Sequence, residues 1–252
     1  MPFFISDGLR IAYREAGEPT AQPILLIHGF ASSSEVNWVF PGWVERLAAE
    51  GRRVIAIDNR GHGASDKPHD VALYDSRDCM AEDARRLLDH LDIERADVMG
   101  YSMGARITAF LAINHGDRVR SAIFGGLGYA MVTGLEGAEA IAQALEAPSP
   151  LGLSGQPRAF RAFADQTKSD RLALAACMRG SRRKVPEADV GRIGMAALVA
   201  VGTKDDVAGS GPDLVKLLPH GEYLAIPDRD HMRAVGDRVY LDGVVRFLDR
   251  RP

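Results

Sequence analysis

The sequence is poor in cysteine: Cys79 and Cys177 are the only two. Each falls in a stretch with helical character, far from the other, so both are expected as reduced packing residues rather than a bridge. Neither belongs to a metal-spaced cluster, and no metal or cofactor is implied. An excess of one charge is also missing. The formal net charge is −3, without the gathered basic face that nucleic-acid binding requires. No stretch approaches the ~20 apolar residues that span a bilayer. The start, Met1-Pro2-Phe3-Phe4, lacks the basic and apolar regions of a secretory leader. The expectation is a soluble, cytoplasmic protein that acts on a small molecule; oligomeric state cannot be read from the sequence. With 46% hydrophobic and 26% charged residues over 252 positions, the composition is not that of a disordered chain, and the length suffices for a large core without staples.

What the sequence has is alternation. An Asp7-Gly8 turn between two β-prone runs predicts a hairpin at the start. The run Ile24-Leu25-Leu26-Ile27 is continuously apolar, as in a strand buried on both faces. Further strands are predicted over 53–58, 96–101, 121–124, 197–201 and 223–226. Between them, Met80, Leu87, Leu88 and Leu91 share one helical face, 103–115 reads as a helix, and 235–248 as a closing amphipathic helix. This pattern predicts an α/β protein with a doubly wound, mostly parallel sheet. From Tyr129 to about Ile193 no strand is predicted. That stretch holds a loop rich in proline and glycine (Pro148, Pro150, Gly152, Gly155, Pro157) and a helix start at Ser169-Asp170. It reads as a small helical cap over 129–193, inserted into a core formed by 1–128 and 194–252.

The strongest chemical signal is Gly100-Tyr101-Ser102-Met103-Gly104. This G-x-S-x-G sequence stands between a predicted strand and a predicted helix, where it lifts a serine hydroxyl clear of the sheet on a strained turn. The flanking glycines are expected because a side chain at either would collide with a neighbouring element. A serine hydroxyl needs a base, and histidine is suited to the role. His231 follows the last predicted strand and precedes the last helix, on the sheet edge that also carries Ser102. His28 and His62, in glycine-flanked turns, are expected to be structural, and His69, His90, His115 and His220 to lie at the surface.

These motifs together resemble the α/β-hydrolase superfamily, in its branch with a helical cap. His28-Gly29-Phe30 resembles that family's motif after the third strand. The stretch Asp58-Asn59-Arg60-Gly61-His62-Gly63, with Ser65, resembles its loop after the fourth. Gly202-Thr203-Lys204-Asp205 and Asp230-His231 resemble the loops carrying acid and base, and the order Ser, Asp, His is the family's. The resemblance implies Ser102 as nucleophile, His231 as base and Asp205 as the acid orienting it. Asp206, the adjacent carboxylate, stands as the alternative to Asp205. It further implies an oxyanion hole from the backbone N–H groups of Phe30 and Met103. The loop from Asp58 to Ser65 is expected to be structural, with an Asp58–Arg60 pair. The basic run Arg182-Arg183-Lys184 is expected as a solvated face, with a grip on an acidic substrate as the alternative.

The implied activity is that of a carboxylesterase working through an acyl-enzyme. Trp38, Leu127, Tyr129 and Met131 are expected to line a pocket for a short- to medium-chain or aromatic acyl group. Carbon–carbon bond hydrolysis, lactone hydrolysis and perhydrolysis can use the same triad, and a non-catalytic receptor can share the fold. Epoxide hydrolases and haloalkane dehalogenases are disfavoured, because their relatives carry aspartate where this chain has Ser102.

Overall fold

Asp7 (φ 49°) and Gly8 (φ 80°) both take left-handed backbone conformations, the geometry that joins two antiparallel strands without splaying them. The strands on either side are β1 (Phe3–Ser6) and β2 (Leu9–Ala16). The computed structural model describes residues 1–75, 79–181 and 183–251. In it the hairpin is followed by β3 (Gln22–Ile27), β4 (Arg52–Ile57), β5 (Ala96–Tyr101), β6 (Val119–Gly125), β7 (Ala196–Gly202) and β8 (Gly221–Ile226). They form one sheet in the order β1-β2-β4-β3-β5-β6-β7-β8. β2 is antiparallel to β4, and all pairings from β4 to β8 are parallel.

The continuous apolar runs follow from burial on both faces. In β3, Leu25 and Ile27 pack on one side with α3 (Cys79–His90) and α4 (Met103–Asn114). Ile24 and Leu26 pack on the other with Trp43 and Leu47 of α1 (Trp43–Ala49) and with Tyr240, Val244 and Phe247 of α11 (Arg238–Arg250). The short helices α2 (Ala72–Asp75) and α10 (Gly211–Val215) complete the core. After β3 the chain moves to β4 on one side and then crosses to β5 on the other. Loops leaving β3 and β5 therefore diverge, and the crevice between them is where such sheets hold ligands.

Between β6 and β7 the described residues form helices only. These are α5 (Ala130–Thr133), α6 (Ala138–Glu146), α7 (Gly155–Gln166), α8 (Arg171–Gly180) and α9 (Glu187–Val190). The Asp170 carboxylate starts α8 by accepting from Leu172 N and Ala173 N. α7 begins inside the proline- and glycine-rich stretch. Pro157 sits in its first turn, where a missing N–H loses no intrahelical bond. Arginines hold this layer together. Arg179 pairs with Glu139 and Glu146, joining α8 to α6. Arg106 of α4 reaches out of the core: Nη1 donates to Met131 O and Arg183 O and Nη2 to Ala130 O, at 2.8, 3.1 and 2.9 Å. One guanidinium thus holds the chain where it leaves β6 and where it returns from α8. Arg183 and Lys184 are exposed; Arg182 lies outside the described residues. Cys79 and Cys177 are both buried. Among the described residues no helix is long and apolar enough to cross a membrane.

The loop from Asp58 to Ser65 is arranged differently from the expected Asp58–Arg60 pair. Asp58 accepts from Ser34 N and Ala64 N at 2.7 and 2.8 Å. A carboxylate so placed is already satisfied by backbone donors. Arg60 turns instead to Asp83 of α3, with two bonds of 2.7 Å, and both side chains are 1% exposed. Ser6 Oγ donates to the same carboxylate at 2.5 Å, tying β1 to the pair. Removing one member of a buried pair leaves the other charge uncompensated, at a cost of about 3–5 kcal/mol. Asp83→Ala is expected to lose that much stability in urea unfolding; a loss under about 1 kcal/mol, the scale of an exposed pair, would show that Arg60 is not dependent on Asp83.

Candidate active site

Ser102 has φ 53° and ψ −111°, a conformation costly for a residue with a side chain. The surroundings enforce it. A Cβ on Gly100 would lie 2.1 Å from Gly104 O, and one on Gly104 would lie 1.9 Å from Ile27 O. Only glycine at both positions lets α4 start directly against β5 and β3. Ser102 is the N-cap of α4, yet its hydroxyl makes no capping bond. That hydroxyl lies 2.9 Å from His231 Nε2 instead.

His231 Nδ1 lies 2.9 Å from Asp205 Oδ2. A carboxylate can only accept, so Nδ1 carries the proton and Nε2 is left to accept from Ser102. The other oxygen, Asp205 Oδ1, accepts from Val207 N and Ala208 N at 2.9 Å each, which fixes the carboxylate in its turn after β7. The Asp205 side chain is fully buried and that of His231 is 11% exposed, whereas Asp206 faces solvent. Asp228 and Asp230 serve the intervening turns. Asp228 has φ 58° and pairs with Lys204, and Asp230 accepts from Met232 N and Arg233 N.

Two residues that the sequence did not single out hold this arrangement. Tyr101 OH donates to His231 O at 2.6 Å. Burial, reinforced by the Asp205 charge, keeps its phenol well above the ordinary value, so it remains a donor. Asn37 Oδ1 accepts from Gly29 N at 2.7 Å, which anchors the loop carrying Phe30. Asn37 lies in a single π-helical turn, Glu35–Val39, a feature with no signature in hydrophobic period. The other side of that loop is held by His28. Its Nδ1 meets Gly29 O at 2.7 Å and its Nε2 accepts from Asn59 N at 3.0 Å.

Two cavities open at Ser102. The larger, of about 510 Å³, is lined by Phe30, Val36, Pro41, Phe160, Phe163 and His231 among others, with Arg229 and Arg233 also on its wall. The smaller, of about 30 Å³, lies between Met103, Arg106, Leu127, Ala130, Leu135 and Val207. Phe30, Ser102 and Phe160 border both. Of the expected pocket residues, Leu127 lines the smaller cavity. Trp38, Tyr129 and Met131 line neither, which corrects the expectation. Trp38 is fully buried beneath the sheet against Trp43. Met131 is buried in the opposite core layer, its carbonyl taken by Arg106. Tyr129 turns outward to the Glu187 carboxylate. Aromatic rings are placed by the packing of their own element, which residue type alone does not reveal. The spacing of three puts Phe160 and Phe163 on one helix face, but the sequence carries no signal of which way that face turns. Arg183 and Lys184 line neither cavity.

The sequence model of the alpha/beta hydrolase fold family matches residues 22–147, and the chain belongs to that family. Among characterised relatives it is 36% identical over 135 residues to a 2-hydroxymuconate semialdehyde hydrolase of a Pseudomonas species, covering 52% of this chain and 46% of that one. It is 36% identical over 114 residues to epoxide hydrolase A of Mycobacterium tuberculosis, covering 45% and 34%. The matched stretch thus spans between a third and a half of the length of these curated relatives. Solved structures match the whole chain at lower identity. A hydrolase from Pseudomonas aeruginosa superimposes with a TM-score of 0.78 at 24% identity, over 98% of this chain and 97% of that one. This likeness establishes the fold.

Burial pushes the His28 ring below its ordinary value, against the opposing pull of Asp58 and of the bond to Gly29. Below about pH 6.5 the unfolded chain binds a proton at this ring that the folded chain refuses, so stability declines as pH falls. The slope from this one group reaches at most about 1.4 kcal/mol per pH unit. A titration followed by long-range ¹⁵N spectra is expected to show the His28 ring taking up its proton below the ordinary value of about 6.5; uptake at or above that value would contradict the assignment.

Proposed function

We propose that the protein is a serine hydrolase acting on carboxylic esters through an acyl-enzyme. The observation that carries this reading is the chain of two 2.9 Å contacts from Ser102 Oγ through His231 to a buried Asp205. In the first half-reaction His231 Nε2 takes the Ser102 proton as Oγ attacks the ester carbonyl. The tetrahedral oxyanion is held by the N–H groups of Phe30 and Met103, the second aided by the positive end of the α4 dipole. His231 then gives its proton to the leaving alkoxide, and the alcohol departs. In the second half, water attacks the acyl-enzyme through the same base and releases the acid. Asp205 holds the imidazole tautomer and stabilises its cation without taking the proton.

The chemistry of the nucleophile bears on the relatives' activities. Serine attack on an epoxide would leave an ether, which water and a histidine base cannot cleave, so Ser102 speaks against epoxide opening. A second reading is carbon–carbon bond hydrolysis, favoured by the likeness to a 2-hydroxymuconate semialdehyde hydrolase. The same serine can attack an aldehyde or ketone carbonyl and expel a carbanion, provided the substrate stabilises that carbanion until it is protonated.

Phenyl acetate turnover is expected in the wild type and should vanish in Ser102→Ala; activity that survives would remove Ser102 from the mechanism. Asp205→Asn should lower kcat by about 10⁴-fold through the wrong tautomer, while Asp206→Asn should stay near wild type. The reverse pattern would assign the acid to Asp206. Asn37→Ala should reduce kcat by up to about 10²-fold with little change in KM, the expected result of misplacing the loop bearing Phe30 N–H. An unchanged kcat would leave Asn37 without a positioning role.

A further inference from the structure

We infer that the substrate is strongly asymmetric: a small acyl group, acetyl or propionyl, on a bulky apolar alcohol. The inference rests on the reading of Ser102 as nucleophile and His231 as base, and deepens it. At the tetrahedral stage the reacting carbon carries Ser102 Oγ, the oxyanion, the acyl substituent and the leaving oxygen. The leaving oxygen must receive its proton from His231 Nε2, so the alcohol lies on the histidine side. His231 lines the larger cavity and is absent from the wall of the smaller one. The oxyanion is directed to the backbone of Phe30 and Met103. The acyl substituent is left with the remaining direction, into the space beyond Met103 toward Leu127 and Val207.

The two spaces differ greatly. The acyl side offers about 30 Å³ and the alcohol side about 510 Å³. Roughly 10–15 Å³ of such space admits one water-sized group, so about 30 Å³ admits two or three; methyl and methylene groups are larger than water, which leaves room for one or two carbons beyond the carbonyl. The far side has the size of a cleft for a drug-sized ligand, roughly 300–1,000 Å³. The small space is not easily enlarged. Arg106, on its wall, is held by three backbone carbonyls, and Leu127 and Ala130 are buried. On the large side, Phe160 and Phe163 of α7 line the cavity together with Val36, Pro41 and Val235. The charge of Arg229 there is met by Asp237 at 2.5 Å, and that of Arg233, on a side chain 77% exposed, by Asp230 at 3.7 Å; the enclosed apolar walls are left to select the alcohol. The bulk that the sequence suggested for the acyl group belongs on the alcohol.

The test uses two ester series with the purified full chain. The first keeps phenol as leaving group and lengthens the acyl group from acetate to hexanoate. The second keeps acetate and enlarges the alcohol from ethanol to benzyl alcohol to naphthylmethanol, whose alkoxides are of similar basicity. In the first series kcat/KM should peak at acetate or propionate and fall by about 10-fold or more for the next methylene. In the second it should rise with size. Leu127→Ala should move the acyl optimum toward butyrate, and Leu135→Ala, at a half-buried position, should do the same if the first variant fails to fold. Phe163→Ala should reduce the preference for naphthylmethyl over ethyl acetate and leave the acyl optimum in place. Ser102-dependent activity with an optimum at hexanoate would overturn the inference while sparing the nucleophile, as would an acyl profile unmoved in both leucine variants. No turnover in either series, or turnover that survives in Ser102→Ala, would overturn the reading beneath it as well.

Discussion

The site depends on one steric constraint, the close approach of α4 to the sheet beneath it. The helix can begin against β5 and β3 only because Gly100 and Gly104 have no side chains. Their missing Cβ atoms would meet Gly104 O and Ile27 O well inside contact distance. This closeness fixes Ser102 at positive φ and turns its hydroxyl away from the helix it caps. A serine in that position is held by the packing of sheet and helices, together with the bond from its own N–H to Gly125 O at 2.7 Å. The strain of such a turn, of order 1–3 kcal/mol, is offset by core packing on both faces of the sheet.

Around that fixed point the other groups are adjusted by loops, and each loop has its own anchor. Asp205 is set by two backbone N–H groups of its turn, His231 by the phenol of Tyr101, and the loop bearing Phe30 by Asn37 and His28. These anchors come from four separate segments. What they share is the edge of the sheet where the strand order reverses, which gathers residues remote in sequence. The two cavities at Ser102 result from the same divergence. One opens toward the histidine loop, and the other is closed off by the start of the inserted helices.

Much of this could be read from residue order. Continuous apolar runs marked the buried strands, and Asp7-Gly8 marked the hairpin. The G-x-S-x-G sequence placed a serine on a strand-to-helix turn. These are local signals, set by periodicity or by a required backbone angle. The partner of Arg60 was not legible, because Asp83 lies 23 residues away on a different element while Asp58 stood nearer in sequence. The pocket walls were not legible either. Trp38, Tyr129 and Met131 lie close to the site in sequence but belong to surfaces facing other ways, and Phe160 and Phe163 reach it from α7. The side of a helix that meets a cavity is decided by how the helix packs, and that is a property of the whole domain.

Arg106 has a bearing on how such a protein can change over time. It grips the chain where it departs from β6 and where it returns from α8, so the segment between is tethered at both ends to the helix that starts at Ser102. Residues along that segment can be exchanged, and the segment lengthened or shortened, while its endpoints stay registered to Ser102. The walls that Leu135, Phe160 and Phe163 give the two cavities can therefore vary while the strained turn at Ser102 keeps its place.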